Sequence, residues 1–367
     1  MVEHLMAVDL FAGAGGLSLG FSNEGFDVRF ALDNDPWAAE TYSRNHPTTQ
    51  VICDSIQSVR PEMLLDQIGL QRGELTVLIG GPPCQDFSIN NHQRGRDGRR
   101  AGLVQHYLSM VEGLRPRFVL MENVTGLLSA NNGFWLEVVY RSLNDLGYHV
   151  DHRILSSEEY GVPQRRRRVF FIGTRDQEEV AWPKPTHRRE GRHRFVTVGA
   201  AIGDLPCIKV GGGAEEMDYI VAPRSCYQRA MRQQSLRLFN HVAPALGVRN
   251  QQRIRFVPPG GSWRDIPHDL LPPGMQRARR RDHTKRYGRL HPEGLAATIL
   301  TKCDPHWGAY IHPSQDRTLT VREAARLQSF PDTFRFYGPR LAQGRQVGNA
   351  VPPIVASGLA RSMVEAV

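Results

Sequence analysis

Four short stretches of this 367-residue chain carry residue types that chemistry needs. In Gly80-Gly81-Pro82-Pro83-Cys84-Gln85, two glycines and two prolines make a stiff, sharply turned loop that holds the Cys84 thiol outward. The thiolate is the nucleophilic form, and helix N-termini or nearby arginines lower a thiol's pKa. Glu122-Asn123 offers a carboxyl group that can act as a general acid or grip a polar edge, although such a pair alone is more often a turn. Gln164-Arg165-Arg166-Arg167-Arg168 is a run of arginines. In an extended segment side chains alternate, so Arg166 and Arg168 share one face and Arg165 and Arg167 the other.

The fourth stretch is Phe11-Ala12-Gly13-Ala14-Gly15-Gly16-Leu17, a glycine turn entering a helix. Its backbone can approach a ligand closely, and the helix start presents free N–H groups. It does not fit G-x-G-x-x-G, because Ser18 stands where the third glycine belongs, and no Gly-Lys-Ser/Thr follows. Asp33 can accept from ribose hydroxyls and Asp54 from an adenine amine, though either alone is more often a cap or turn residue. Together with the turn they describe an adenosine pocket whose acidity suits a basic ligand tail, such as a sulfonium.

These residues need elements to position them. Apolar runs predict strands over Ala7–Leu10, Val28–Leu32, Val51–Ile52, Thr76–Ile79, Phe118–Met121 and Val169–Ile172. Amphipathic stretches predict helices over Leu17–Glu24, Trp37–Asn45, Leu103–Gly113 and Phe134–Leu146. The alternation is that of an α/β domain with a mainly parallel sheet, and the chemistry-bearing residues fall at the carboxyl ends of its strands. From about Ala181, Pro and Gly clusters break the chain into loops. Helices return at Val321–Phe330, where Thr320 and Glu323 have capping-box spacing, and after Pro352-Pro353. The expected division is an α/β domain of residues 1–185 and 316–367, interrupted by a smaller loop-rich domain of residues 186–315.

Composition narrows the class. Hydrophobic residues at 40% and charged ones at 23% are ordinary for a soluble globular protein. No apolar run approaches the roughly 20 residues that cross a bilayer, and Glu3 and Asp9 stand where a signal peptide would be basic and apolar. A cytoplasmic protein with no membrane contact is expected. Five cysteines, none in a C-x-x-C pair, argue against a disulfide framework and against structural zinc, so no metal is expected. The net charge of +9 is localised: residues 176–315 hold 22 Lys+Arg against 13 Asp+Glu, and the remainder is neutral. That is the footprint of a segment that neutralises phosphates.

In this order the motifs resemble the DNA cytosine-5 methyltransferase family of restriction-modification type. Asp9 to Gly16 is similar to its first motif, Gly81-Pro82-Pro83-Cys84-Gln85 to its Pro-Cys motif, and Glu122-Asn123-Val124 to its E-N-V motif. Gln164, Arg166 and Arg168 match the Q-R-x-R-x region, Arg322 to Gln328 the R-E-x-x-R-L-Q motif, and Gln346 to Pro352 the closing G-N motif. The matches cover residues 7–175 and 317–360. One departure is Cys53-Asp54-Ser55-Ile56, where the family usually has Gly-Asp-Ile.

The resemblance implies a Rossmann-like S-adenosylmethionine-dependent fold with an inserted target-recognition domain. It implies that a cytosine is flipped out of duplex DNA, that Cys84 attacks C6, and that Glu122 protonates or hydrogen-bonds N3. Arg168 would contact the base carbonyl, and Arg166 would pair with a flanking phosphate or orient the Cys84 loop. For the cofactor it implies Phe11 on adenine, Asp33 on ribose and Asp54 on the adenine amine. Ala12, Gly13, Gly15, Gly16, Leu17, Pro83, Leu103, Asn349 and Val351 would complete that site. A monomer in a bacterial or archaeal cytosol is expected, with room for a cognate restriction endonuclease acting on the same site. Candidate base readers in the insertion are Arg279, Arg280, Arg281, Lys285, Arg286, Thr298 and Thr301. Three alternatives stay open: methylation of tRNA cytosine, a nicotinamide or flavin oxidoreductase on a similar sheet, and a DNA-binding regulator without catalysis.

Overall fold

The computed structural model describes residues 5–83, 98–175, 179–301 and 304–365. By compactness the chain divides into two units: Met1–Ser156, Arg167–Pro185 and Ala350–Val367 form the first, and Ser157–Arg166 with Thr186–Asn349 form the second.

The first unit is built on a seven-stranded sheet. Its elements run β1 (Met6–Leu10), α1 (Gly16–Asn23), β2 (Asp27–Asp33), α2 (Pro36–Asn45), β3 (Gln50–Cys53), α3 (Pro61–Ile68), β4 (Val77–Gly80), α4 (Gly98–Leu114), β5 (Phe118–Asn123), α5 (Phe134–Asp145), β6 (His149–Ser156) and β7 (Arg167–Thr174). The strand order is β3-β2-β1-β4-β5-β7-β6. The first five strands are parallel, and β7 runs antiparallel to both its neighbours. Order reverses between β1 and β4, and a crevice opens outside the carboxyl ends of strands at such a switch point. The central strands read as unbroken apolar runs because both their faces are covered: Val8, Leu10, Phe30, Leu78, Val119 and Phe171 are buried together.

Two elements absent from the sequence expectation have physical reasons. The segment His149–Ser156 is polar because β6 is an edge strand with residues half-open to solvent. The short helix α3 opens on Pro61 and closes at Gly69 in the left-handed region, a pair of residues that also reads as turn punctuation.

The second unit comprises α6 (Val198–Ile202), β8 (Gly213–Met217), α7 (Cys226–Arg232), β9 (Leu238–Val242), α8 (Val248–Arg255), α9 (Pro273–Gln276), α10 (Val321–Leu327) and α11 (Arg340–Asn349). Its β8 and β9 form an antiparallel pair. The last helix, α12 (Pro353–Val364), returns to the first unit and packs on α1, where Gly20 leaves no space for a Cβ beside Ala356 and Pro353.

The compact division therefore returns to the first unit at Ala350, not at residue 316. The reason is a knot of buried charge. Arg326 of α10 binds Asp204, just after α6, at 2.8 Å and Asp332 at 2.6 Å, and all three side chains are fully buried. Arg317 grips Glu323 with two hydrogen bonds of 2.8 and 2.6 Å. The capping box at Thr320 and Glu323 is present.

Candidate active site

The glycine turn follows β1 directly. Phe11 takes a left-handed backbone at φ 59°, and Gly13 and Gly15 follow at φ 56° and 93°. A Cβ on Gly15 would lie 2.5 Å from the His46 ring, so the turn closes only with glycine there. Asp33, at the end of β2, holds the turn in place: its Oδ2 accepts from Gly13 N–H at 2.8 Å. Its Oδ1 accepts from Asp35 N–H at 2.8 Å, and Asp35 in turn caps α2 by accepting from Trp37 N–H. Burial pushes the Asp33 carboxyl above its ordinary range, against the pull of those N–H groups. Beneath the turn Asp9 is wholly buried, and Ser18 donates to its Oδ2 at 2.6 Å.

Phe11, Ile52 and Leu103 are partly buried and lie against one core cluster. Ala12 and Gly13 are half-open, whereas Gly15, Gly16 and Leu17 are buried. Asp54 is exposed and accepts from its neighbour Ser55 N–H. Ile52 of β3 packs against the same cluster. Trp37, 40% exposed, lies four residues after Asp33 at the start of α2.

The catalytic expectations centre on β4 and β5. Cys84 itself lies outside the described residues. The loop leading to it is tied down, since Asn123 Nδ2 donates to the Pro82 carbonyl at 3.2 Å with Asn123 buried. The second residue of E-N-V is thus a clamp on the loop that bears the thiol, with Pro83 half-buried at its end. Glu122 precedes it, with Arg168 Nε of β7 3.0 Å from Glu122 Oε1. This is a charge contact whose geometry falls short of a hydrogen bond, and among the described residues Oε1 is a buried acceptor without one. A Cβ on Gly81 would come within 3.3 Å of Glu122 Oε2, so the glycine keeps room around the carboxylate.

Arg166 and Arg168 do alternate with exposed Arg165 and Arg167. Arg166 is buried at 1% exposure in the second unit, donating to the carbonyls of Gly348 at 3.1 Å and Asn349 at 3.5 Å. These bonds brace the main chain before the closing G-N motif. Gln164 has the same character, donating to Leu327 O and Gln328 Oε1, while Gln328 donates to Val347 O. Three motifs thus meet as an internal scaffold of the second unit, with exposed Asn349 at its edge. Val351, in the first unit, is buried.

Among the candidate base readers, Arg279, Arg280, Arg281 and Lys285 are exposed. Their loop is anchored by Tyr287, which is fully buried and bonded to Asn250 and His306. Arg286 lies over the Trp307 ring at 5.7 Å. Thr298 is occupied in donating to Arg165 O. Among the described residues no cluster of His, Cys, Asp or Glu is arranged to hold a metal ion. No described helix is long and apolar enough to cross a membrane.

Comparison with known proteins bears on this geometry. Residues 5–365 match the family model of the C-5 cytosine-specific DNA methylases. The chain belongs to that family. It is 34% identical to the Type II methyltransferase M.AgeI of Thalassovita gelatinovora, over 99% of this chain and 100% of that one. It is 35% identical to M.DdeI of Desulfomicrobium norvegicum, over 96% of this methylase and 87% of the relative. Among solved structures, a DNA modification methyltransferase encoded within an E. coli prophage superposes with a TM-score of 0.78 at 25% identity, covering 98% and 99% of the two chains. A Dnmt2 methyltransferase of S. pombe shares the fold at a TM-score of 0.60 and 17% identity, covering 99% of each chain. The mixed sheet is the Rossmann-like methyltransferase sheet.

Proposed function

We propose that this methylase transfers a methyl group from S-adenosylmethionine to C5 of a cytosine flipped out of a specific duplex DNA sequence. The observation that carries the reading is the Glu122 carboxylate. It is paired with Arg168 at 3.0 Å and stands beside the loop that Asn123 clamps two residues before Cys84. Relatives at 34–35% identity over nearly the whole chain, named as Type II methyltransferases, favour DNA over tRNA as substrate.

The cofactor site fits the group. Phe11, Ile52 and Leu103 offer an apolar face for adenine, Asp33 and Asp54 offer acceptors, and the glycine turn leaves backbone close to a ligand. When bound, the cofactor supplies an electrophilic methyl group. Cys84 adds through sulfur to C6 while Glu122 protonates or hydrogen-bonds N3, dispersing the charge that develops on the ring. C5 then carries the electron pair that takes the methyl group, the S–CH3 bond breaking to leave S-adenosylhomocysteine, a neutral thioether. Loss of the C5 proton restores the C5–C6 double bond and expels the Cys84 thiolate. Arg168 orients Glu122 and, through its outer nitrogen, reaches the base carbonyl. The basic residues of 186–315 hold phosphates and base edges, and the first unit, residues 1–156, 167–185 and 350–367, holds the chemistry. The protein acts as a monomer in the cytosol of a prokaryote, with a restriction endonuclease of the same target as partner.

Cys84→Ser should abolish methylation while leaving duplex binding measurable, and substantial turnover in that variant would refute the nucleophile. A duplex carrying 5-fluorocytosine at the target should trap a covalent adduct, because C5 then has no proton to lose. Bisulfite sequencing of DNA from cells expressing the protein identifies the target, and methyl transfer to tRNA but not to duplex DNA would overturn the substrate.

A further inference from the structure

We propose that Asp9 is a proton-exchanging positioning residue of the cofactor site: it sets the first turn of α1 through Ser18, and its charge state sets how tightly a cationic ligand is held in the glycine turn. The inference rests on the cofactor reading above.

Asp9 stands two residues before Phe11 and is completely buried. Ser18 donates to Asp9 Oδ2 at 2.6 Å, and Tyr42 of α2 donates to Ser18 Oγ at 2.6 Å, so one chain of bonds links β1, α1 and α2. The other oxygen, Oδ1, is buried and accepts no hydrogen bond among the described residues. A carboxylate in that state costs free energy unless it is neutralised by a proton or a counter-charge.

Among the described residues no counter-charge comes from the groups that face it. Ser18 and Tyr42 are neutral, and burial together with Asp9 itself keeps the phenols of Tyr42 and Tyr107 protonated. His46, its ring tilted against Tyr42 at 4.4 Å between centroids, is held neutral because burial lowers its pKa to about 4. The remaining charged neighbour is Asp33, which repels. Burial, with that repulsion added, raises the Asp9 carboxyl to about 7 against the pull of Ser18. Asp33 also grips Gly13 N–H, so Asp9, Asp33 and the turn form one electrostatic set that receives positive charge favourably. A sulfonium in the turn supplies that charge, and its thioether product does not.

Two measurements test this on the full-length protein. Without ligand, Asp9→Asn should abolish a wild-type loss of thermal stability between pH 5 and 8, leaving the variant the more stable protein at pH 8. In calorimetric titrations, wild type should bind S-adenosylmethionine several-fold more tightly at pH 8 than at pH 6, with S-adenosylhomocysteine changing much less. Each pKa unit displaced by the ligand is about tenfold in affinity. In Asp9→Asn the difference between the two ligands' pH profiles should vanish. Parallel pH profiles in wild type and variant would overturn the proposal. If Asp9→Asn does not fold, Ser18→Ala serves instead: removing the donor should move the stability step to higher pH, and an unmoved step counts against Asp9. Failure of wild type to bind either ligand at any pH would refute the cofactor reading, while the stability measurement still judges Asp9.

Discussion

Buried charge is handled in opposite ways in the two units. Beneath the glycine turn, Asp9 and Asp33 accept only from neutral donors, and burial raises both carboxyls. In the second unit Glu323 and Asp332 are fully buried, yet Arg317, Arg322 and Arg326 hold both below the ordinary carboxylate range. Desolvation acts on all four; the difference lies in whether a guanidinium answers it. An acid left unanswered inside a sheet costs stability, which is tolerable where a ligand supplies the missing charge. Acids fully matched by arginines build a frame and leave nothing for a ligand to do.

The largest effect should come from breaking the matched set. Arg326→Met removes one cation from two fully buried carboxylates, Asp204 and Asp332. Stranding buried partners in this way costs about 3–5 kcal/mol, so the second unit should melt well below the wild-type temperature or fail to accumulate as soluble protein. Near-normal melting by calorimetry would mean that the network is not what holds α10 to α6.

Glu122, though paired with Arg168, stands at the proposed target base, and on that proposal its loss should separate rate from stability. Glu122→Gln should lower methyl transfer by about 10²–10⁴-fold, the usual worth of a general acid. The fold should survive, because Gln fills the same half-open space beside Arg168. Single-turnover kinetics with the target duplex measure the first effect and a thermal melt the second. A loss of stability as large as the loss of rate would move Glu122 into the structural class.

The contrast should also appear as opposite pH slopes. Asp9 is raised from 3.8 to about 7, so the folded first unit takes up a proton the unfolded chain does not; its contribution is present below pH 4 and lost as pH rises through 7. His312 is lowered from 6.5 to about 4 by burial, and His241 is lowered for the same cause. There the unfolded chain binds the proton, so stability is present above pH 6.5 and lost on acidification toward 4. Hydrogen exchange corrected for intrinsic rates should show the second unit opening more readily at pH 5 than at pH 7, with the reverse trend in strand β1. Parallel trends in both would undo the contrast.

Much of this was legible in the residues. Parallel strands between covering helices are long apolar runs, so β1, β2, β4 and β5 and the turns that follow them could be read directly. The Glu-Asn pair and the glycine turn were visible because their residue types are unusual at strand ends. What was hidden depends on partners distant in sequence. Asp9 looked like a strand residue, and only the approach of Ser18 and Tyr42 reveals its state. The R-E-x-x-R-L-Q stretch could be read as a capped helix, but not that its arginines find acids at Asp204 and Asp332 and become core. The same pairing moved the boundary from 316 to 350, which no local composition could signal.

The smallest effect separates burial from location. Arg361 of α12 pairs with Glu24 after α1 at 2.7 Å, within the same unit as Asp9, but its side chain is 61% exposed. If pairing mattered as such, Arg361→Ala would resemble Arg326→Met. Solvent screens an exposed pair and two long side chains must be ordered to make it, so the expected loss is below about 1 kcal/mol. It should shrink further as salt is raised from 0.05 to about 0.5 M, because the Debye length falls well below the spacing of surface charges. Denaturant titration at the two salt concentrations gives both numbers. A loss of several kcal/mol that persists in salt would show that the contact of α12 with α1 depends on this pair, and not on the close approach at Gly20 and Ala356.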